Sequence, residues 1–306
     1  MRSVGTCDPA GVALLALTAA LPACSLKTLA VDTLGNALAQ GGSSYASDDD
    51  PDLVRDASPF ALKTIEGLLD ASPRHKGLLL AAAKGFTQYG YGFVQQEADF
   101  VEAQDLARAT SLRDRARKLY RRALGYGFRG LEVDLPGFRS RLRTDTAATL
   151  ARARKKHVPL LYWTATAWGA AIAISKSDSE LTADQSLAEA LMRRALALDE
   201  SYEMGSIHDF FISYEGGRSS VGGSVSEARR HLERALAFSK GRRAAPLVAF
   251  AETVSVGSQD LGEFAQLLEQ ALALDPDEAQ TVRLSNLIYQ KRARWLLSRR
   301  DELFVE

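Results

Sequence analysis

Three short phrases, RRALALD (193–199), ERALAFS (233–239) and EQALALD (269–275), share an Ala-Leu-Ala core, and their alanines Ala195, Ala235 and Ala271 stand 40 and 36 residues apart. A fourth relative, RRALGYG (121–127), places Ala123 72 residues before Ala195, two steps of 36. Periods in this range mark stacked helix pairs, with 34 the tetratricopeptide value. Within a copy, Ala and Leu recur at spacings of three and four, as Leu187, Leu191, Ala195 and Leu198 show. The small residue admits a close neighbouring helix while leucines fill the space between. Thr182/Gln185, Ser224/Glu227 and Asp260/Glu263 have capping-box or related spacing ahead of the three late copies, which predicts helix starts there. Partner helices are expected over 203–214 and 244–256, and a long terminal one over 276–301 that begins at Asp275-Pro276, a cap and first-turn pair. No stretch alternates apolar and polar residues. The expectation is an all-α, tetratricopeptide-like helix-pair solenoid in which 59–306 form a single repeat domain.

Ordinary composition allows that core: 46% of the 306 residues are hydrophobic and 25% charged. Thirty-eight basic residues balance thirty-eight acidic ones, which removes the electrostatic footprint of a nucleic-acid binder. The runs at Arg152 to His157 and Arg292 to Arg300 lack the interleaved aromatics of single-strand binders and read as solvated helix faces and helix C-terminal charges. One segment, VPLLYWTATAWGAAIAIS (158–175), runs 18 residues without a charge. Its threonines, glycine and five alanines make it weakly hydrophobic for a bilayer, so a buried central helix is the better account.

Both cysteines, Cys7 and Cys24, fall near the start, the second after the apolar run AGVALLALTAALPA (10–23). That run is too short for a span and suits a signal peptide. Leu21-Pro22-Ala23-Cys24 resembles a bacterial lipobox, in which the cysteine is acylated and becomes the mature N-terminus. Residues 1–23 are then the signal peptide. Residues 24–58 are a lipidated N-terminus and tether, with GGSS (41–44), DDDPD (48–52) and a short helix around 26–38. The expected location is a periplasm-facing membrane, with Ser25 favouring the outer one.

Catalytic motifs are missing. The histidines His75, His157, His208 and His231 have no metal-ligand spacing, and there is no Walker loop, nucleophile elbow or dinucleotide fingerprint. No cofactor or metal is expected, and the chain does not read as an enzyme. The candidate recognition residues are aromatic and polar: Trp163 and Trp168 on the uncharged helix, and His208, Asp209, Tyr214 and Arg218 in HDFFISYEGGR (208–218). Trp163 and Trp168 lie about 140° apart on a helix, so at least one belongs to the core. His208-Asp209 is either a polar pair in a pocket or two solvated residues on one helix face, and each aromatic has a packing role as its alternative.

The lipobox, the cryptic repeats, YGFVQQEAD (91–99), YWTATAWGAAI (162–172), HDFFISYEGGR (208–218) and RARWLLSRRDELF (292–304) together resemble the T-component lipoproteins of tripartite ATP-independent periplasmic (TRAP) transporters. The resemblance implies a periplasmic lipoprotein that associates with the transporter's solute-binding protein. It also implies self-assembly, as a trimer, around a ligand-sized cavity or pore. The repeats are uneven and lack the usual Trp and Tyr landmarks, which puts standard groove binding of peptides in doubt. The competing functions are a ligand-free scaffold for envelope assembly and a hydrolase whose site the sequence hides.

Overall fold

The computed structural model describes residues 42–175, 178–218 and 222–305, with Thr33 and Gly35. Cys7, the apolar run, the lipobox with Cys24 and most of the helix expected over 26–38 lie outside the described residues. Every regular element among the described residues is helical.

A short helix α1 (Gly42–Ala46) precedes α2 (Pro51–Ala71). The latter begins at Pro51 rather than at Pro59, because the acidic run supplies its start: the Asp50 carboxylate accepts from the Asp52 and Leu53 amides, and Pro51 occupies the first turn. Then come α3 (Lys76–Tyr89), a π-helical turn (Gly90–Gln95), α4 (Gln96–Val101) and α5 (Leu106–Asp134). Two short helices, α6 (Phe138–Thr144) and α7 (Thr146–Ala151), lead to α8 (Val158–Ala173). The second half holds α9 (Ser179–Ala183), α10 (Gln185–Leu198), α11 (Tyr202–Gly216), α12 (Val225–Ser239) and α13 (Ala245–Phe250) with its π-helical extension Ala251–Ser255. It ends with α14 (Leu261–Ala273), a 3-10 segment (Pro276–Val282), α15 (Arg283–Ser298) and α16 (Arg300–Leu303).

The repeated alanines behave as the period requires. Ala123, Ala195, Ala235 and Ala271 sit on α5, α10, α12 and α14, and each is fully buried. Two of the three predicted starts form as expected: Ser224 Oγ accepts from the Glu227 amide and Asp260 from the Glu263 amide. The third differs. The Thr182 hydroxyl bonds back to the Asp178 and Ser179 carbonyls within α9, and α10 starts after Asp184, whose carboxylate is held by both terminal nitrogens of Arg143. The terminal helix is also broken, into the 3-10 segment that Asp275 caps and α15.

Neighbouring helices pack in sequence, α2 on α3, α3 on α5, α5 on α8 and α8 on α10, then α11 on α12 and α14 on α15. The uncharged helix α8 is buried on nearly every side, and no helix among the described residues is long and apolar enough to cross a membrane. Its approach to α5 needs glycine: a Cβ on Gly127 would meet Thr164 Oγ1 at 2.2 Å. Buried apolar residues form two clusters, one from Leu62 to Phe211 and one from Ile212 to Leu296, so α11 is a wall shared by both.

The end of the chain returns to its beginning. On α15, Tyr289 lies 5.7 Å from Tyr91 and Trp295 5.4 Å from Phe100, measured between ring centres. Arg292 reaches Asp99 at 2.8 Å, and Arg283 reaches Asp49 at 3.1 Å. Arg292 therefore departs from the solvated helix face expected of it: only 6% exposed, it turns inward, while Arg294 and Arg300 face water.

Candidate functional site

Both π-helical turns border one region. A π turn adds a residue to the helical repeat and re-aims the side chains beyond it, and such turns concentrate at functional sites. The first carries Tyr91 and Gln95 and turns α4 so that Asp99 faces inward, and the second carries Glu252. Between them and α15 lies an open cavity of about 720 Å³, bordered by Gln95, Asp99, Glu252, Val256, Arg292 and Trp295, a volume in the range of small-molecule sites. Its rim is a network of charge-assisted hydrogen bonds. Arg292 commits all three guanidinium nitrogens, Nη1 to Asp99 at 2.8 Å, Nε to Glu252 at 3.1 Å and Nη2 to the other Glu252 oxygen. Arg113 donates to both Glu102 oxygens at 2.6 and 2.8 Å and to Asp99 at 3.1 Å, so Asp99 bridges two arginines.

Behind this mouth stand tyrosines. Tyr120 donates to Gln95 Oε1 at 2.6 Å. The Tyr91 and Tyr289 rings lean together, Tyr162 lies 5.3 Å from Tyr202, and the Asp209–Arg243 ion pair sits beside Tyr162 and Tyr289. Burial lifts the phenols of Tyr91, Tyr162, Tyr202 and Tyr289 above their ordinary range. It raises Asp209 too, against the opposing pull of Arg243. Yet Tyr91, Tyr202, Tyr289 and Asp209 are only half-buried by surface.

Glu203 bonds Lys84 at 2.9 Å and accepts from the Tyr202 hydroxyl at 3.3 Å. Glu203, Met204 and Gly205 are successive left-handed residues, at φ 43°, 59° and 80°. Each of the two non-glycine positions costs about 1–2 kcal/mol, and strain of this kind gathers at binding sites and switches. No group of three or more His, Cys, Asp or Glu side chains suited to a metal occurs among the described residues.

The family model of the TRAP transporter T-component matches residues 47–304, which takes in the mouth, the tyrosines and the returning helix. The chain belongs to that family. The T-component is also similar to an uncharacterised protein of Treponema pallidum (strain Nichols), 28% identical over 302 residues, covering 92% of this chain and 94% of the relative. Membership ties the protein to a TRAP transport system of the bacterial envelope, and the family is a transporter component rather than an enzyme family.

The six candidate residues of this T-component divide among three places. Asp209 is held in an ion pair with the buried Arg243. Trp163 is buried, its ring 4.9 Å from Tyr162 and under Lys84, whose Nζ lies 5.4 Å from it. Trp168 packs edge-on against Phe128 at 5.4 Å. His208 is 2% exposed and lies between α11 and α12, its Nδ1 2.8 Å from Nδ1 of His231 and its Nε2 3.3 Å from Glu200. Desolvation pushes both imidazoles down to about 4. Tyr214 and Arg218 meet at the surface, the guanidinium 4.4 Å above the ring, with the Tyr214 hydroxyl on Glu189. Sequence reasoning passed over Tyr91, Asp99, Arg243, Glu252, Tyr289 and Arg292. The available signal was YGFVQQEAD, already prominent as a segment, whose Asp99 falls beside the buried Gln96 and Ala98.

Proposed function

We propose that the chain is a lipid-anchored periplasmic interaction protein of a TRAP-type transport system, which docks the system's solute-binding protein and holds or passes its small ligand. Cys24 carries the lipid, the residues between it and α2 tether the helices to the outer membrane, and the helix pairs act as a tetratricopeptide-like array that assembles into a homo-trimer. The observation that carries the ligand-handling part is the open cavity of about 720 Å³ between the two π-helical turns and α15, a volume in the range of small-molecule sites. Support for docking comes from the family, and the half-buried Tyr214–Arg218 stack supplies an aromatic and an arginine, the residue types that dominate binding hot spots.

Capture of candidate solute-binding proteins by the mature chain tests the reading. Tyr214→Ala with Arg218→Ala should weaken capture tenfold or more, about 1.4 kcal/mol, with an unchanged melting temperature. Full capture by the stable double variant would remove that face from the proposal, and failure of the wild type to capture any such protein would remove docking. Cys24→Ala should leave an unprocessed precursor, whereas the wild type should show the mass of a lipidated chain beginning at Cys24 and partition into detergent, its several acyl chains making the anchoring stable. An unmodified wild-type chain would end the anchoring claim.

A further inference from the structure

The turn between α2 and α3, the end of α5, the segment leading into α8 and the last turn of α10 meet at one end of the helix row, and positive charge gathers there. Lys76 and Lys156 both reach Asp134 at the end of α5, at 2.9 and 3.0 Å, and His157 reaches it at 3.2 Å. The two ammonium groups hold the Asp134 carboxyl well below the usual carboxylate range. Lys155 takes Asp199 at 3.2 Å. Four guanidiniums spend donors on neutral carbonyls instead: Arg74 on Val133 and Arg129 on Pro73, each at 3.2 Å, Arg194 on Ala153 at 2.8 Å, and Arg141 on Pro136. A carbonyl satisfies a donor but carries no net charge, so the positive charge of these four stays uncompensated. Arg152 and Arg154 are exposed and pair with no carboxylate among the described residues. Against this stand the half-buried Glu132, Asp134 and Asp199, and Asp70 near the end of α2. The even balance of charge over the whole chain therefore hides a basic end.

The chain ahead of α1 sits on that end. Gly35 is buried, and a Cβ there would meet Leu78 Cδ1 at 2.9 Å and His75 Nε2 at 3.2 Å, with Arg74 and Lys76 on either side of His75. Cys24 lies eleven residues before Gly35, a reach of at most about 40 Å. From the basic end α5 runs back over 29 residues, about 43 Å. A lipid on Cys24 thus starts out beside the basic end, and even a fully stretched chain barely reaches the far one.

We propose that the protein lays this basic end on an anionic lipid surface, with Arg152, Arg154, Lys155 and Lys156 at the contact. The attraction of lysine and arginine to such a surface fades within about a Debye length, ~10 Å at 0.1 M salt, so the end must rest on the headgroups. The mouth beside Gln95 and Asp99, at the opposite end of α5, then opens away from the membrane. This deepens the anchoring part of the function above by giving the orientation in which the lipid holds the fold.

Two experiments test it. In the first, the mature chain carrying Cys24→Ser, and hence no lipid, is sedimented with phosphatidylcholine vesicles with or without phosphatidylglycerol. Phosphatidylglycerol should raise binding at least tenfold at low salt. Arg152, Arg154, Lys155 and Lys156, all exposed, changed together to Gln should abolish that gain. The same change at Arg108, Arg115, Arg117 and Lys118, near the start of α5, should leave it. No gain in the wild type, or an equal loss in both variants, would overturn the proposal. So would a first variant that binds vesicles normally yet no longer captures a solute-binding protein, which would give the patch to that partner. In the second, the lipidated chain is labelled at Ser140→Cys, beside Arg139 and Arg141, or at Gln104→Cys, before α5, and mixed lipid carries a nitroxide headgroup. The label at 140 should be quenched several-fold more than that at 104; equal or reversed quenching would overturn the orientation. Since the first experiment needs no acyl chain, an unmodified Cys24 in the wild type would end the anchoring claim while leaving the lipid-facing end standing or falling by its own result.

Discussion

His208 and His231 keep each other neutral. Their Nδ1 atoms share one hydrogen bond at 2.8 Å, and Phe238 and Phe211 stack on the two rings. A proton on the accepting Nδ1 would break that bond, and a proton on either ring would leave a charge in an apolar wall, with Arg230 and Arg234 nearby and only Glu200 to offset it. The folded pKa values are about 4 against an ordinary 6.5, so the unfolded chain takes up protons first as the pH falls. Stability from this pair is whole above pH 6.5 and is lost progressively toward pH 4, at about 1.4 kcal/mol for each unit of depression. Melting temperatures from pH 7.5 to 4 should fall along that limb, and His208→Phe with His231→Phe should flatten it; an equally steep double variant would place the acid sensitivity elsewhere. At this scale the sequence spoke unevenly. The alanines were legible because period alone decides their burial. Arg292 was not, because it lies 193 residues from Asp99, the partner that draws it inward, and a charged side chain on a helix otherwise reads as solvated.

Helices were the most legible elements, since caps and periods are local. Ser224, Asp260 and Asp275 cap as their spacing requires. The π turns and the left-handed run at Glu203 to Gly205 were not legible, because they answer to neighbours rather than to propensity: a Cβ on Gly205 would come within 2.8 Å of Phe238. Two substitutions measure how tightly the elements meet. Ala235→Phe should overpack the contact of α12 and cost about 1–3 kcal/mol, while a change at exposed Arg230 should be nearly neutral. Gly127→Ala gains up to about 1 kcal/mol of helix propensity, yet its methyl meets Thr164 at 2.2 Å with the Thr164 Cα only 3.2 Å away. The clash should win, and the variant should melt lower. Chemical denaturation reads both, and a stabilised Gly127→Ala would mean that α5 and α8 are less tightly apposed than described.

Across the whole molecule, two apolar clusters are joined by α11 and by the contacts of α15 with α4 and the first π turn. The Arg292 network is the polar part of that junction. Replacing one partner of a buried ion pair strands the others, typically at about 3–5 kcal/mol; Arg292→Met should approach the lower figure, because Glu252 keeps some water contact. Arg292→Lys retains the charge without the three-nitrogen geometry and should fall between. The diagnostic reading is the shape of the unfolding curve: one transition in the wild type and two in Arg292→Met, if the junction couples the clusters. A single sharp transition in that variant would show that α11 alone suffices.

The return of α15 onto the first layers has an evolutionary consequence. Open repeat arrays grow or shrink by whole units, because each unit touches only its neighbours. Here, duplicating or deleting one unit of about 36 residues would carry Tyr289, Arg292 and Trp295 away from Tyr91, Asp99 and Phe100. A length change of that size is therefore expected to destabilise the protein, because it breaks the contacts that close α15 onto the first helices.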